Sequence, residues 1–69
     1  MDNFNPNKIK ELRKVHSITQ KQLGDLLGIG DRAISKWELG LSKPSGQSLI
    51  CLEKIFNVPV ESFLTIRTI

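Results

Sequence analysis

Apolar residues recur along this chain at helical spacing, interrupted at short intervals by glycine, proline and small polar residues. Ile9, Leu12 and Val15 step by three after Pro6, a residue suited to a helix's first turn because its missing N–H has no helical partner there. Lys10, Arg13 and Lys14 fall off that stripe, and Ser17-Ile18 breaks it. A second helix is predicted from about Gln20 to Leu27, with Leu23, Leu26 and Leu27 facing inward. Thr19 stands at its N-cap and Gln22 three residues on, the spacing at which side chain and backbone cap each other reciprocally. Gly28 stops this helix, since glycine takes the left-handed conformation without a Cβ penalty, and Ile29 follows as an apolar plug. Gly30 or Asp31 opens a third helix, which carries Ile34 and Trp37 and ends at Gly40.

The stretch LSKPS reads as a loop, after which Ser45 caps a fourth helix with Leu49, Leu52, Ile55 and Phe56 on its apolar stripe. Asn57 ends it, and Val58-Pro59 turns into a short fifth helix that offers Val60, Phe63 and Leu64 to a core. The first five residues are polar and expected to be loose. The tail TIRTI alternates apolar and polar residues, a pattern that fits an edge strand, a dimer contact or a frayed end equally.

Five short helices in 69 residues make one all-helical domain, 1–69, with its core from about residue 6 to 65. A chain of this size buries only about 60% of its unfolded surface, so the core must be economical. Apolar residues at 39% and charged residues at 25% are ordinary for a globular chain and argue against disorder. No apolar run approaches the roughly 20 residues of a membrane span. The start MDNFNPN lacks a basic segment followed by an apolar one, so the expected compartment is the cytoplasm.

Single copies of cysteine (Cys51) and histidine (His16) rule out an intrachain disulfide and fall short of the four ligands of a structural zinc site. No cofactor is expected. Neither a glycine-rich phosphate loop nor an acid–base pattern is present, so the chain does not read as an enzyme. Net charge is +3, and eight of the ten Lys and Arg residues lie within Lys8–Lys43. That concentration is a plausible electrostatic footprint for phosphate.

The most informative segment is Gln20–Trp37, QKQLGDLLGIGDRAISKW, two short helices separated by Gly28-Ile29-Gly30. Gly24 stands mid-helix, where glycine costs about 1 kcal/mol relative to alanine. Close approach of the third helix supplies a physical reason, because a larger side chain would wedge the pair apart. Ile29 and Ile34 are expected to pin the turn from beneath. Such a stiff bihelical unit projects one helix outward, as reading the major groove of DNA requires.

From about Ile9 to Leu64 the chain resembles the Cro/CI-type helix-turn-helix regulators, also called the XRE-like family. The resemblance rests on IKELR, TQKQL, LLGI, ISKWE, KPS and NVPVESFL, which agree in register along nearly the whole chain. It implies a compact five-helix, lambda-repressor-like fold, with the third helix as recognition helix. It also implies a homodimer on an inverted-repeat double-stranded DNA operator. Carried over by position, the base-reading residues are Asp31, Arg32 and Lys36, with Ser35 beside them. Arg32 and Lys36 suit guanine O6 and N7 chemically. Asp31 suits cytosine N4, or simply complements the dipole of its own helix start. Thr19 and Gln20 at the second helix, and Lys43 and Ser45 in the loop after the third, match positions that grip phosphates. Lys10, Lys14 and Lys21 add longer-range attraction. Arg13 and Glu38 match an ion pair that fixes the recognition helix to its scaffold.

The chain departs from the family pattern at several places. Gly30 replaces the usual Ser or Thr cap, Gly46 stands where a larger residue is common, and Glu53 where a small one packs. Leu39 and Leu41 replace residues that are often polar. These two leucines read either as an apolar patch for dimerisation or another protein, or as scattered surface leucines. Cys51 reads as a spacer on the fourth helix or as an oxidant-sensitive thiol. Two functions of different class therefore stand: a DNA-binding regulator, expected to be a repressor, and a protein-interaction adaptor or antitoxin on the same fold. RNA binding fits less well, because the chain has no tyrosine and no aromatic-rich sheet on which bases stack.

Overall fold

A computed structural model describes residues 2–66. Four α-helices follow a short strand: β1 (Asp2–Phe4), α1 (Pro6–Val15), α2 (Gln20–Leu27), α3 (Asp31–Glu38) and α4 (Gly46–Phe56). A 3-10 turn, Val60–Phe63, and strand β2 (Leu64–Ile66) complete the order. The all-helical class stands, with one refinement. The fifth predicted helix is only this single tight turn, because the Pro59 start and the Leu64 strand leave four residues between them.

The caps explain where helices begin and end. Asn5 caps α1 by accepting the Asn7 N–H at 3.1 Å, with Pro6 in the first turn. At α2 the predicted capping box is complete: Thr19 Oγ1 accepts the Gln22 N–H at 3.0 Å, and Gln22 Oε1 accepts the Thr19 N–H at 2.8 Å. Ser45 caps α4 through the Ser48 N–H at 3.2 Å. Gly28 ends α2 at φ +71°, and Gly30 precedes α3 at φ +85° and ψ 167°, a combination closed to residues with a Cβ. The left-handed Gly30 backbone therefore occupies the N-cap of α3 with no side-chain hydrogen bond. α3 itself starts at Asp31 and stops at Glu38, two residues short of Gly40.

Every helix and the 3-10 turn contribute to one core of Ile9, Leu12, Leu23, Ile34, Trp37, Leu52, Phe56 and Phe63. Three predicted inward residues are instead exposed. Val15 is 72% exposed because each three-residue step drifts about 60° around a helix, which carries the third residue of the series well off the face set by Ile9. Leu26 is 62% exposed for a related reason. The buried side of α2 is set by Leu23 and Gly24, and Leu26 lies on the far side of Leu23 from that contact. Ile29, expected to pin the turn from beneath, is instead 42% exposed.

The polar N-terminus is not loose. Residues Asp2, Asn3 and Phe4 pair antiparallel with Ile66, Thr65 and Leu64, and the Asn5 N–H donates to the Phe63 carbonyl at 2.7 Å. Phe4 packs against the core. Of the readings open for the tail TIRTI, Leu64–Ile66 takes that of a strand; the remainder lies outside the described residues. Glu53 finds a partner, its Oε2 accepting the Val60 N–H at 3.0 Å and so securing the start of the 3-10 turn. No helix among the described residues is long and apolar enough to cross a membrane.

Candidate nucleic-acid interface

The link between α2 and α3 depends on Gly24. A Cβ there would collide with the carbonyl group of Gly30 and approach the Asp31 nitrogen to 2.8 Å. The start of α3 thus lies directly on the middle of α2, and the Gly24 carbonyl accepts the Ile29 N–H at 3.0 Å and the Gly30 N–H at 3.3 Å. With Ile34 and Trp37 buried on one side of α3, the opposite side faces solvent. Arg32 and Lys36 are exposed there, Asp31 is exposed in the first turn, and Ser35 is half-buried. Arg32 and Lys36, four residues apart, share one helix face.

The far end of α3 is tied to two other helices. Glu38 Oε2 accepts from Arg13 Nε at 2.7 Å, and Oε1 accepts from Arg13 Nη2 at 3.0 Å. The same Oε1 accepts from Gln20 Nε2 at 3.1 Å, while Arg13 Nη1 donates to the Ile18 carbonyl at 3.0 Å. The Arg13 and Glu38 side chains are only 12% and 6% exposed, so this is a largely desolvated pair with bidentate geometry. Burial pushes the Glu38 carboxyl up, but hydrogen bonds from Arg13 and Gln20, with the charges of Arg13 and Lys10, outweigh it and hold the group below its ordinary value. The hydrogen bond to Glu38 raises Arg13, against the opposing effect of burial.

A depressed folded value stabilises the protein above the unfolded value, and that gain is lost as pH falls through the folded one. The stability gap between the wild type and Glu38→Gln is therefore expected to be full above the ordinary value of 4.5 and to narrow as pH falls below it. Thermal melts of both proteins from neutral pH to pH ~3 check this. A gap unchanged across that window would mean that the pair does not hold the Glu38 carboxyl below its ordinary value.

Among the other sequence-derived site residues, Thr19 is exposed at the start of α2. Gln20 is half-buried and turned toward Glu38, a contact that sequence reasoning missed because its partner lies 18 residues away across the turn. Lys43 is exposed on the α3–α4 loop, held by buried Pro44, and Ser45 Oγ lies 3.2 Å from both the Ser48 N–H and the Ser48 hydroxyl. Lys10 and Lys14 are exposed on α1. Lys21 reaches Asp25 at 3.7 Å across a fully hydrated surface, a contact of little energetic weight. Leu39 and Leu41 are 69% and 72% exposed on either side of Gly40, and Cys51 is half-buried on α4. Among the described residues no group of His, Cys, Asp and Glu is placed to hold a metal ion.

Known proteins are similar to this chain in sequence and in arrangement. A helix-turn-helix family model matches residues 9–63. The HTH-type transcriptional activator BcrR of Enterococcus faecalis is 40% identical over 58 residues, which is 84% of this chain and 28% of that protein. The type II methyltransferase M.SsoII of Shigella sonnei is 48% identical over 44 residues, 59% of this chain but only 12% of the enzyme. Repressor protein C2 of Salmonella phage P22 is 38% identical over 47 residues, 68% of this chain and 22% of the repressor. The chain thus spans between about an eighth and a quarter of these relatives' length. A crystal structure of the P22 c2 repressor with a synthetic operator superposes at a TM-score of 0.81 and 30% identity, covering 88% of this chain and 92% of that one. With the matched residues running from the start of the α1 stripe to the 3-10 turn, the chain belongs to the helix-turn-helix family of Cro/CI-type, XRE-like transcriptional regulators.

Proposed function

We propose that this domain binds double-stranded DNA in a sequence-specific way and regulates transcription by doing so, with α3 in the major groove. The observation that carries the reading is the solvent-facing pair Arg32 and Lys36 on a helix anchored at both ends, by Gly24 at its start and Glu38 at its finish. A rigid helix bearing two long cationic donors on one face matches what guanine recognition demands. The P22 c2 repressor, crystallised in complex with a synthetic operator, supports DNA as the ligand by likeness of fold and sequence.

Asp31, Arg32, Ser35 and Lys36 read base edges in this proposal. Thr19 and Gln20 at the start of α2, and Lys43 and Ser45 in the α3–α4 loop, contact phosphates on either side. Two copies bind as a homodimer on an inverted repeat, with half-sites about one helical turn apart, roughly 34–36 Å. Occupying an operator that overlaps a promoter then gives repression, the outcome that needs nothing beyond the domain itself. The protein works where the DNA is, in the cytoplasm, without a cofactor and by binding rather than catalysis.

Selection of random duplexes by the purified protein at near-physiological salt tests the proposal. Enrichment of an inverted repeat supports it and supplies the operator; a folded protein that enriches nothing overturns it. On that operator, Arg32→Ala is expected to lose about 1–3 kcal/mol of discrimination at one base position per half-site. Lys43→Ala is expected instead to weaken all sequences alike and to flatten the log–log salt dependence by roughly 0.9 per lost phosphate contact. Competition binding against single-base operator variants over a range of salt separates the two behaviours.

A further inference from the structure

Glu38 meets three donors with its two carboxylate oxygens, and one of the three is the side-chain amide of Gln20. A free glutamine amide rotates and flips, so an exposed one pays an entropic cost before it grips a ligand. Here the nitrogen is held toward Glu38 at 3.1 Å, which sets which way the amide faces. Its oxygen and its second N–H form no hydrogen bond within the described residues, and no buried side-chain polar atom among them lacks a partner. The unpartnered oxygen therefore reaches the surface, beside exposed Thr19 and the first turn of α2, while the planar amide turns the second N–H away from the one that Glu38 holds.

From this network we infer that Glu38 is a positioning residue for Gln20. By taking one N–H of the amide, the carboxylate at the end of the recognition helix aims the other N–H outward at a DNA phosphate. The inference rests on the DNA-binding reading and adds to it a mechanical link. The group that locks α3 against α1 also presets the phosphate grip of α2, so base-reading helix and backbone clamp share one anchor. Arg13 is part of the same device, because its two hydrogen bonds hold the carboxylate in the orientation that Gln20 meets.

The test is a double-mutant cycle read by binding to a short mixed-sequence DNA duplex at low salt, where phosphate contacts dominate. Glu38→Gln leaves a single acceptor oxygen for the two Arg13 donors and Gln20, so the Gln20 amide is released while shape is kept. Gln20→Ala is expected to weaken binding roughly two- to ten-fold, the range of one net hydrogen bond. In the Glu38→Gln background the same change is expected to have almost no effect, because the aimed N–H is already lost. A purely structural Glu38 would give equal losses from Gln20→Ala in both backgrounds, and that result overturns the inference. Failure of the wild-type protein to bind any duplex would instead sink the DNA-binding reading beneath it.

If Glu38→Gln does not fold, the wild type alone decides. NMR resonances of the Gln20 side-chain amide are expected to stand apart from those of exposed Gln47 and to move on adding the duplex. Gln20 resonances coincident with those of Gln47 in the free protein would show an amide that nothing orients, and would equally overturn the inference.

Discussion

Gly24→Ala is expected to destabilise this domain by about 3 kcal/mol, at or beyond the upper end of the usual cost of overpacking. Helix propensity alone predicts the opposite sign, a gain of about 1 kcal/mol when alanine replaces glycine inside a helix. Packing outweighs propensity because the added methyl would meet backbone atoms of Gly30 and Asp31, not the end of a flexible side chain. Those atoms belong to the entry of α3, and they can move only if the whole of α3 lifts off α2. A domain of this size is stabilised by roughly 3–10 kcal/mol, so the variant stands near the edge of folding. Urea denaturation followed by circular dichroism measures the loss. A variant as stable as the wild type would show that α2 and α3 separate at little cost, and the account of the bihelical unit would fail.

Removing one partner of the buried ion pair is expected to be comparably severe. Glu38→Ala leaves the Arg13 guanidinium, only 12% exposed, without its carboxylate. Breaking such a pair costs about 3 kcal/mol, the lower end of the range for fully buried pairs, since a little solvent reaches this one. The loss reflects an uncompensated charge more than the net worth of the interaction. Replacing both partners with apolar residues of similar volume, Arg13→Met with Glu38→Leu, is therefore expected to recover most of the stability. It should leave DNA affinity roughly two- to ten-fold below that of the wild type, because Gln20 would still lack its acceptor. Denaturation of the single and double variants, set beside their DNA affinities, separates the two roles. A single Glu38→Ala change that costs less than about 0.5 kcal/mol would reduce the pair to an ordinary surface contact.

Local signals carried most of the helical layout. Thr19 with Gln22, Ser45, Gly28 and Asn57 mark helix ends through hydrogen bonds and backbone preferences that act within four residues, so they can be read without knowing the fold. The exposed face of α3 was legible for the same reason: with Ile34 and Trp37 inside, the geometry of a helix leaves Arg32 and Lys36 outside. Gly24 announced itself by sitting where propensity disfavours it. The pairing of Arg13 with Glu38 was inferred from family resemblance, since 25 residues separate them and no local rule connects them.

Contacts made across the fold decided the rest. Leu26 and Val15 fit apolar spacing yet face water, because the rotation of each helix is set by what packs on it, and a spacing of three suits more than one face. The polar N-terminus becomes β1 only because Leu64–Ile66 arrives beside it, some 60 residues later in the chain. The Gln20 amide turns to Glu38 for a comparable reason: α3 brings a carboxylate to the start of α2 that nothing in TQKQL foreshadows. Periodicity and capping depend on neighbours in sequence and so are written into it; helix rotation, terminal pairing and shared hydrogen bonds depend on neighbours in space, which exist only once the core has closed.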